Sequence, residues 1–345
     1  MNVSPREGER TRTGRGPSIV ARQRAEAAPM PTDSFAETFS AVAASVEQVL
    51  HGKPEVIELV LIALVAQGHV LIEDVPGVGK TSLAKALARS LDCTWRRVQF
   101  TPDLLPADVV GGTVWDRDAA RFDFRPGPIF ANLVLADEIN RASPKTQSAL
   151  LEAMEERQVT VDGVGHPLPS TFIVLATQNP IEHTGTYPLP ESQLDRFLLR
   201  VGIGYPDRGA ELAILDAPDS AHTLSLLRPV AAVRDIQAMA AVARETHVAP
   251  SLKGYIIDIA EATRHHPALD LGMSPRASLA LMHAARARAV ASGRNYMVPD
   301  DVKALAEPVL AHRLIRSGQA AMQGLDTREI VADVLRRVPV PSGRG

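Results

Sequence analysis

The chain has one cysteine, Cys93, among 345 residues. That excludes an intramolecular disulfide and leaves no cysteine set for a zinc site. Cys93 reads as a small, buried, apolar residue, compatible with a reducing compartment. Aromatic side chains make up only 4%, thin material for stacking successive bases. Charge of one sign is also missing: the formal net charge is -3, which gives no global pull toward nucleic acid or an anionic membrane. The longest apolar run, Val56 to Val65, carries Glu58 and is too short to cross a bilayer. The N-terminus has arginines but no apolar h-region, so it does not read as a secretory signal. A cytoplasmic protein without a membrane span is the expectation.

What remains is ordinary globular material. The hydrophobic fraction is 45% and the charged fraction 22%, and the length suggests about two domains with a sizeable core. Residues 1–33 mix Arg, Gly, Pro, Ser and Glu and read as a disordered tail. Arginines at 6, 10, 12, 15, 22 and 24 make it basic, open to acidic partners or to no partner at all. Helical spacing begins with Phe35, Phe39, Val42 and Val46, and a second helix follows Pro54. The apolar runs His69–Ile72, Trp95–Phe100, Leu133–Ala136, Phe172–Ala176 and Leu198–Ile203 read as strands covered on both faces. Their alternation with helices predicts an α/β fold with a doubly wound parallel sheet over residues 34–206. Two hairpins interrupt it, one over Thr113–Phe124 and one over Val159–Leu168 that turns at Asp162-Gly163. A helix and linker span 207–229. Residues 230–338 show only helical periodicity and form a smaller all-α domain.

Four segments carry chemistry. Asp74-Val75-Pro76-Gly77-Val78-Gly79-Lys80-Thr81 lies between a strand and the helix beginning at Ser82, the setting a phosphate-binding P-loop requires. Its glycines let backbone N–H groups approach phosphates, and the following helix N-terminus favours negative charge. Lys80 is expected on the β- and γ-phosphates of ATP and Thr81 on Mg²⁺. Asp74 stands where the general pattern has glycine. The strand Leu133–Ala136 ends in Asp137-Glu138, the form of a Walker B: Asp137 to hold the metal, Glu138 to act as general base on water. Another strand ends in Ala176-Thr177-Gln178-Asn179-Pro180, where Asn179 either orients water or caps a turn. Arg196 and Arg276 are either surface ion pairs or stabilisers of the transferring phosphoryl group.

Taken together, these segments resemble the MoxR family of AAA+ ATPases over about residues 34–335. The resemblance rests on Val75–Thr81, Asp137-Glu138-Ile139-Asn140-Arg141-Ala142, Ala176–Pro180, Leu189-Pro190-Glu191 through Leu194-Asp195-Arg196-Phe197, Gly272-Met273-Ser274-Pro275-Arg276-Ala277 and Val298-Pro299-Asp300-Asp301-Val302. It implies that Asn179 is sensor 1, that Arg196 is an arginine finger for a neighbouring subunit, and that Arg276 is sensor 2, reaching the nucleotide of its own chain. It implies that Gly52, in His51-Gly52-Lys53, lines the adenine pocket beside a P-loop comprising Val75, Pro76, Gly77, Val78, Gly79, Lys80, Thr81 and Ser82. A homo-hexameric ring, a partner with a von Willebrand factor A domain, and a protein client remodelled or supplied with a metal cofactor are further implications. A chelatase-type motor subunit or a nucleic-acid translocase is the alternative, with little in the sequence to favour nucleic acid. His265-His266 lacks a third ligand for a metal. Glu152, Glu155 and Glu156 read as a solvated face or a subunit contact, and His283, Arg286 and Arg288 as a salt-bridged helix surface.

Overall fold

A computed structural model of the protein describes residues 30–180, 185–216 and 220–341. The arginines of the tail lie outside the described residues. Helix α1 (Thr32–Glu47) begins inside the segment assigned to that tail. Helix α2 (Pro54–Val65) is the apolar run seen in the sequence, and its twelve residues are buried over most of their circumference. Proline at its first position presets φ for the helix.

The central domain then runs β1 (Val70–Glu73), α3 (Lys80–Ser90), β2 (Trp95–Gln99), α4 (Pro106–Val110), β3 (Gly111–Asp116), β4 (Arg121–Pro126), β5 (Leu133–Asp137), α5 (Pro144–Glu156), β6 (Gln158–Val161), β7 (Val164–Pro167), β8 (Ile173–Gln178), α6 (Glu191–Leu194) and β9 (Leu199–Val201). Five strands form one sheet in the order β2-β5-β8-β1-β9, with every neighbouring pair parallel. β5 and β8 are buried along their apolar residues on both faces, which explains their unbroken hydrophobic spelling. The register sets Gln99 opposite Asp137, Ala136 opposite Ala176 and Ile72 opposite Thr177. The carboxyl ends of β1, β5 and β8 therefore share one edge of the sheet.

The antiparallel pairs β3–β4 and β6–β7 are the two expected hairpins, the second turning at Asp162 and Gly163, both with positive φ. They touch each other. The Phe124 and His166 rings stack with centroids 3.8 Å apart, and the Thr113 hydroxyl donates to an Asp162 carboxylate oxygen at 2.5 Å. Trp115 and Phe122 meet edge to face near the hairpin tip and remain exposed.

Helices α7 (Arg208–Asp216) and α8 (Ser220–Leu226) lead to α9 (Val233–Glu245), α10 (Pro250–Arg264), β10 (Leu269–Leu271), α11 (Pro275–Ala291), α12 (Pro299–Leu310), β11 (Ile315–Arg316), α13 (Gly318–Met322) and α14 (Thr327–Arg337). The lid is thus helical apart from a short antiparallel ribbon, β10–β11, which the reading of this region as purely helical did not contain. Strands of three and two residues are shorter than any alternating pattern that would reveal them. One hydrophobic core joins α1, α2, α3 and one sheet face to the lid through residues such as Leu61, Leu83, Ala285 and Val302. A second lies between the other face and α5, with Val134, Leu150 and Val174.

Buried His69 ties three elements together. Its Nδ1 accepts the Val174 N–H at 3.0 Å, so Nε2 carries the proton and donates to the Met154 carbonyl at 3.2 Å. Burial first, and the Arg157 charge second, push its pKa from 6.5 down to about 3. Burial also holds His312 well below the ordinary histidine value. The folded state refuses a proton that the unfolded chain accepts below pH 6.5. Stability is therefore full above that value and falls as pH drops toward 3, by up to about 1.4 kcal/mol per unit for His69 alone. Urea midpoints recorded from pH 6.5 downward are expected to fall steadily; a flat acid limb would contradict this assignment.

Candidate functional site

The carboxyl edge of the sheet opens into a cavity of about 360 Å³ lined by Pro76, Gly77, Gly79, Lys80, Thr81, Ser82, Arg97, Asp137, Glu138, Thr177 and Asn179. Gly79 caps α3 in the left-handed region, φ 98°, a conformation that costs any other side chain. A methyl group built on Gly77 would meet nothing within 4 Å and would project into open space. The first turn of α3 presents N–H groups without intrahelical acceptors. Asp74 explains its own presence in place of glycine. One carboxylate oxygen accepts the Val75 N–H at 2.8 Å and the other the Gly204 N–H at 2.5 Å, pinning the start of the loop to the end of β9. Val78 turns into the core rather than the cavity, and Val75 packs against that same core.

Lys80 Nζ donates to the Asp74 carbonyl at 2.5 Å. Burial lowers its pKa, opposed by the charges of Asp74, Asp137 and Glu138. Thr177 fixes the two acids: its hydroxyl donates to Asp137 Oδ1 at 2.6 Å and accepts the Glu138 N–H at 2.9 Å. Glu138 itself sits at φ 56°, an uncommon backbone state for a non-glycine residue that turns its side chain at the sheet edge. Its Oε2 accepts from Gln99 Nε2 at 2.8 Å and from Arg141 at 2.9 Å. Asp137 Oδ2 accepts from Arg97 Nη2 at 2.6 Å and Nε at 3.1 Å. Sequence reading missed Arg97, Gln99 and Arg141. Arg97 and Gln99 are two apart on β2 and so share a face, but only the pairing of β2 with β5 reveals what that face meets.

The cavity fits a magnesium nucleotide. Its depth is walled by glycine backbone and a helix N-terminus, suited to phosphate. Thr81 and Asp137 offer the hard oxygen donors that Mg²⁺ takes alongside phosphate oxygens.

Gly52, Arg196 and Arg276 lie elsewhere. Gly52, φ 68°, packs so close to Ala210 of α7 that an added Cβ would sit 2.7 Å from it, while its neighbour Leu50 reaches Gly79. The segment therefore flanks the P-loop without lining the cavity. Arg196 precedes β9, at the amino edge of the sheet, where the Leu198 N–H bonds the His69 carbonyl ahead of β1. Arg276, at the start of α11, is beside it. Glu155, at the end of α5, receives Arg196 Nε at 3.0 Å and Arg276 Nη1 at 2.8 Å. The expectation that Arg276 reaches the nucleotide of its own chain is therefore not met. α11 packs against α1, α2 and α9, which carries its first turn to the edge opposite the P-loop. Glu155 is an ion-pair partner rather than a solvated acid, and Arg288 pairs with Glu58 and Asp301.

Arg313 of the lid braces this second cluster. Its side chain is 4% exposed, and all five of its N–H donors are used. Nε bonds Asp195 Oδ1 at 2.8 Å, and the two terminal nitrogens bond the carbonyls of Asp195, Phe197, Leu198 and Val309. The loop that carries Arg196 is thus held from the lid, and Asp195 also lies 3.6 Å from Arg276.

Comparison with known proteins agrees with this architecture. A model of the ATPase family associated with various cellular activities matches residues 69–199, and an AAA lid domain model matches 261–334. The chaperone MoxR1 of Mycobacterium tuberculosis is 40% identical over 305 residues, which is 86% of this chain and 80% of that protein. The Bacillus subtilis protein YeaC is 48% identical over 87% of this chain and 93% of its own length. A crystal structure of a Cytophaga hutchinsonii protein superposes with a TM-score of 0.83 at 35% identity, covering 90% of this chain and 97% of that one. A P-loop strand and helix, an acid-tipped strand two places away in the same sheet and a helical lid define an AAA+ ATPase. Within that class, the chain belongs to the MoxR family.

Replacing Arg313 by Met leaves Asp195 without its buried partner and strips donors from four carbonyls. The expected loss of stability is about 3 kcal/mol, read from urea denaturation. Arg313→Lys should recover only part of it, because an ammonium cannot reproduce the planar fork. A loss indistinguishable from zero in Arg313→Met would show that the brace contributes nothing.

Proposed function

We propose that the chain hydrolyses Mg-ATP in a ring of identical subunits and uses the cycle to remodel a protein client. The observation that carries this reading is the placement of two half-sites on opposite edges of one sheet. The phosphate loop, both acids and Asn179 occupy the carboxyl edge. The paired arginines, 196 and 276, occupy the amino edge around Glu155. Neither half can serve the other within one chain. A second copy that brings its arginine edge to the first copy's cavity completes the site.

Lys80 would leave the Asp74 carbonyl for the β- and γ-phosphates, and Thr81 and Asp137 would hold the metal. Glu138 would take the proton of the attacking water, with Asn179 orienting that water. Bound Mg-ATP supplies the phosphoryl group and the divalent charge that offsets the charge developing on it. Arg196 and Arg276 of the adjacent copy would add the remaining positive charge, so turnover depends on assembly. This revises the role of Arg276 from a contact within the chain to one between chains.

The client reading draws on the Mycobacterium tuberculosis relative, the chaperone MoxR1. Assembly with a von Willebrand factor A-type partner, metal insertion into the client and a cytoplasmic setting belong to the same proposal. No helix among the described residues is long and apolar enough to cross a membrane.

Glu138→Gln is expected to retain ATP binding and lose at least about a hundredfold in turnover, the usual scale of a general base. Full turnover in that variant would remove Glu138 from the mechanism. A mixing experiment tests the shared site. Arg196→Ala and Arg276→Ala subunits should each bind ATP and fail to hydrolyse it. Each should regain activity when mixed with Lys80→Ala subunits, which cannot use ATP but carry both arginines. Recovery for Arg196→Ala alone would return Arg276 to a role within its own chain, and no recovery for either would reject the shared site.

A further inference from the structure

Strand β2 is the outer strand of the sheet on the Walker B side. Edge strands commonly carry charges that discourage pairing with other chains, and Arg96 and Arg97 meet that need. Arg97 does more than point outward. Both its Nε and Nη2 close on a single oxygen, Asp137 Oδ2, at 3.1 and 2.6 Å. Its remaining polar contact, Nη2 to Gln99 Oε1 at 2.9 Å, turns the guanidinium along the strand. The guanidinium lines the cavity that holds Lys80, Thr81 and Glu138. Asp137 is only 14% exposed on its side chain, so a charge left there without a partner would be costly. Its other oxygen is taken by the Thr177 hydroxyl.

We infer that Arg97 is the resident cation of the metal site: its guanidinium neutralises Asp137 when no metal is bound and competes with Mg²⁺ for Oδ2. This rests on the Mg-ATP reading above. The geometry supports exchange rather than coexistence. One carboxylate oxygen that already accepts two N–H groups of one guanidinium has little room for a second cation, and like charges repel. Arg97 is also able to leave. Its side chain is 46% exposed, and among the described residues its guanidinium bonds only Asp137 and Gln99. Departure costs a half-exposed ion pair, a modest amount, whereas arrival of the metal places a divalent charge on the same oxygen. Departure also removes a donor from Gln99, whose amide holds Glu138 Oε2 at 2.8 Å. The metal ligand and the general base are therefore linked through Arg97 and Gln99, two residues on one face of one strand. A chain lacking Arg97 would accept Mg²⁺ at lower concentration, so Arg97 sets the metal threshold of the site.

The test uses the full chain and a fluorescent, non-hydrolysable ATP analogue, with binding as the readout and free Mg²⁺ as the variable. In Arg97→Gln the Mg²⁺ concentration at half effect should fall about fivefold, as expected for removing a competing pair of about 1 kcal/mol. Arg97→Lys, which keeps the charge but loses the fork, should fall less. Far-UV circular dichroism should match wild type in both, which reports an intact fold. Mn²⁺ paramagnetic resonance on the same complexes should show the same order of metal affinities. An unchanged or raised Mg²⁺ midpoint in Arg97→Gln overturns the inference. Failure of the nucleotide reading would look different: wild type would not bind the analogue, or Lys80→Ala would bind it equally well.

Discussion

Everything at the candidate site depends on the parallel pairing of β1, β5 and β8. A parallel ladder puts like ends together, so the P-loop, the acid pair and Asn179 arrive at one edge from positions far apart in the chain. The register then fixes depth. Ile72 opposite Thr177, and Ala136 opposite Ala176, leave Thr177 level with the Asp137-Glu138 peptide, where one hydroxyl serves both acids. A slip of one residue would turn each of these side chains to the other face of the sheet. The buried apolar stretches of β5 and β8, packed on both faces, make such a slip costly, so the core protects the geometry of the chemistry.

The same sheet separates two ion-pair clusters. Asp137 and Glu138 meet Arg97 and Arg141 beside the phosphate loop at the carboxyl edge, and Arg196 and Arg276 meet Glu155 and Asp195 at the amino edge. Arg313 extends that arrangement into the lid, since its donors are spent on the backbone that leads to Arg196. The position of the lid and that of Arg196 are consequently one variable rather than two. Movement of the lid would be felt at the edge that carries Arg196 and Arg276.

The local arrangement of the site was largely legible from the sequence. Strand-loop-helix order around Lys80, the acid tip of β5 and the polar end of β8 were readable because each is a short contiguous signal with a physical purpose. The two hairpins were readable for the same reason, Asp162-Gly163 above all. What escaped is what depends on residues distant in the chain. Arg97 and Gln99 look like ordinary polar positions of an exposed strand until β2 is placed against β5. Arg276 reads from the family resemblance as a contact to the nucleotide of its own chain, and only the fold shows it beside Glu155 and Asp195. Asp74 looked like a departure from the glycine pattern until Gly204, more than a hundred residues later, supplied its second N–H. The β10–β11 ribbon is too short to leave any periodic trace.

The contact between the two hairpins has a mechanical consequence. β3–β4 is inserted just ahead of β5, and β6–β7 just ahead of β8, so each loop is rooted next to a strand that ends in a reactive group. The Phe124–His166 stack and the Thr113–Asp162 bond splice these roots into a single lever with Trp115 and Phe122 at its free tip. A tug on either aromatic ring would be shared by both arms and delivered to the base of both strands at once. Force applied outside the molecule and displacement of the Asp137–Thr177 pair would then be two readings of the same motion.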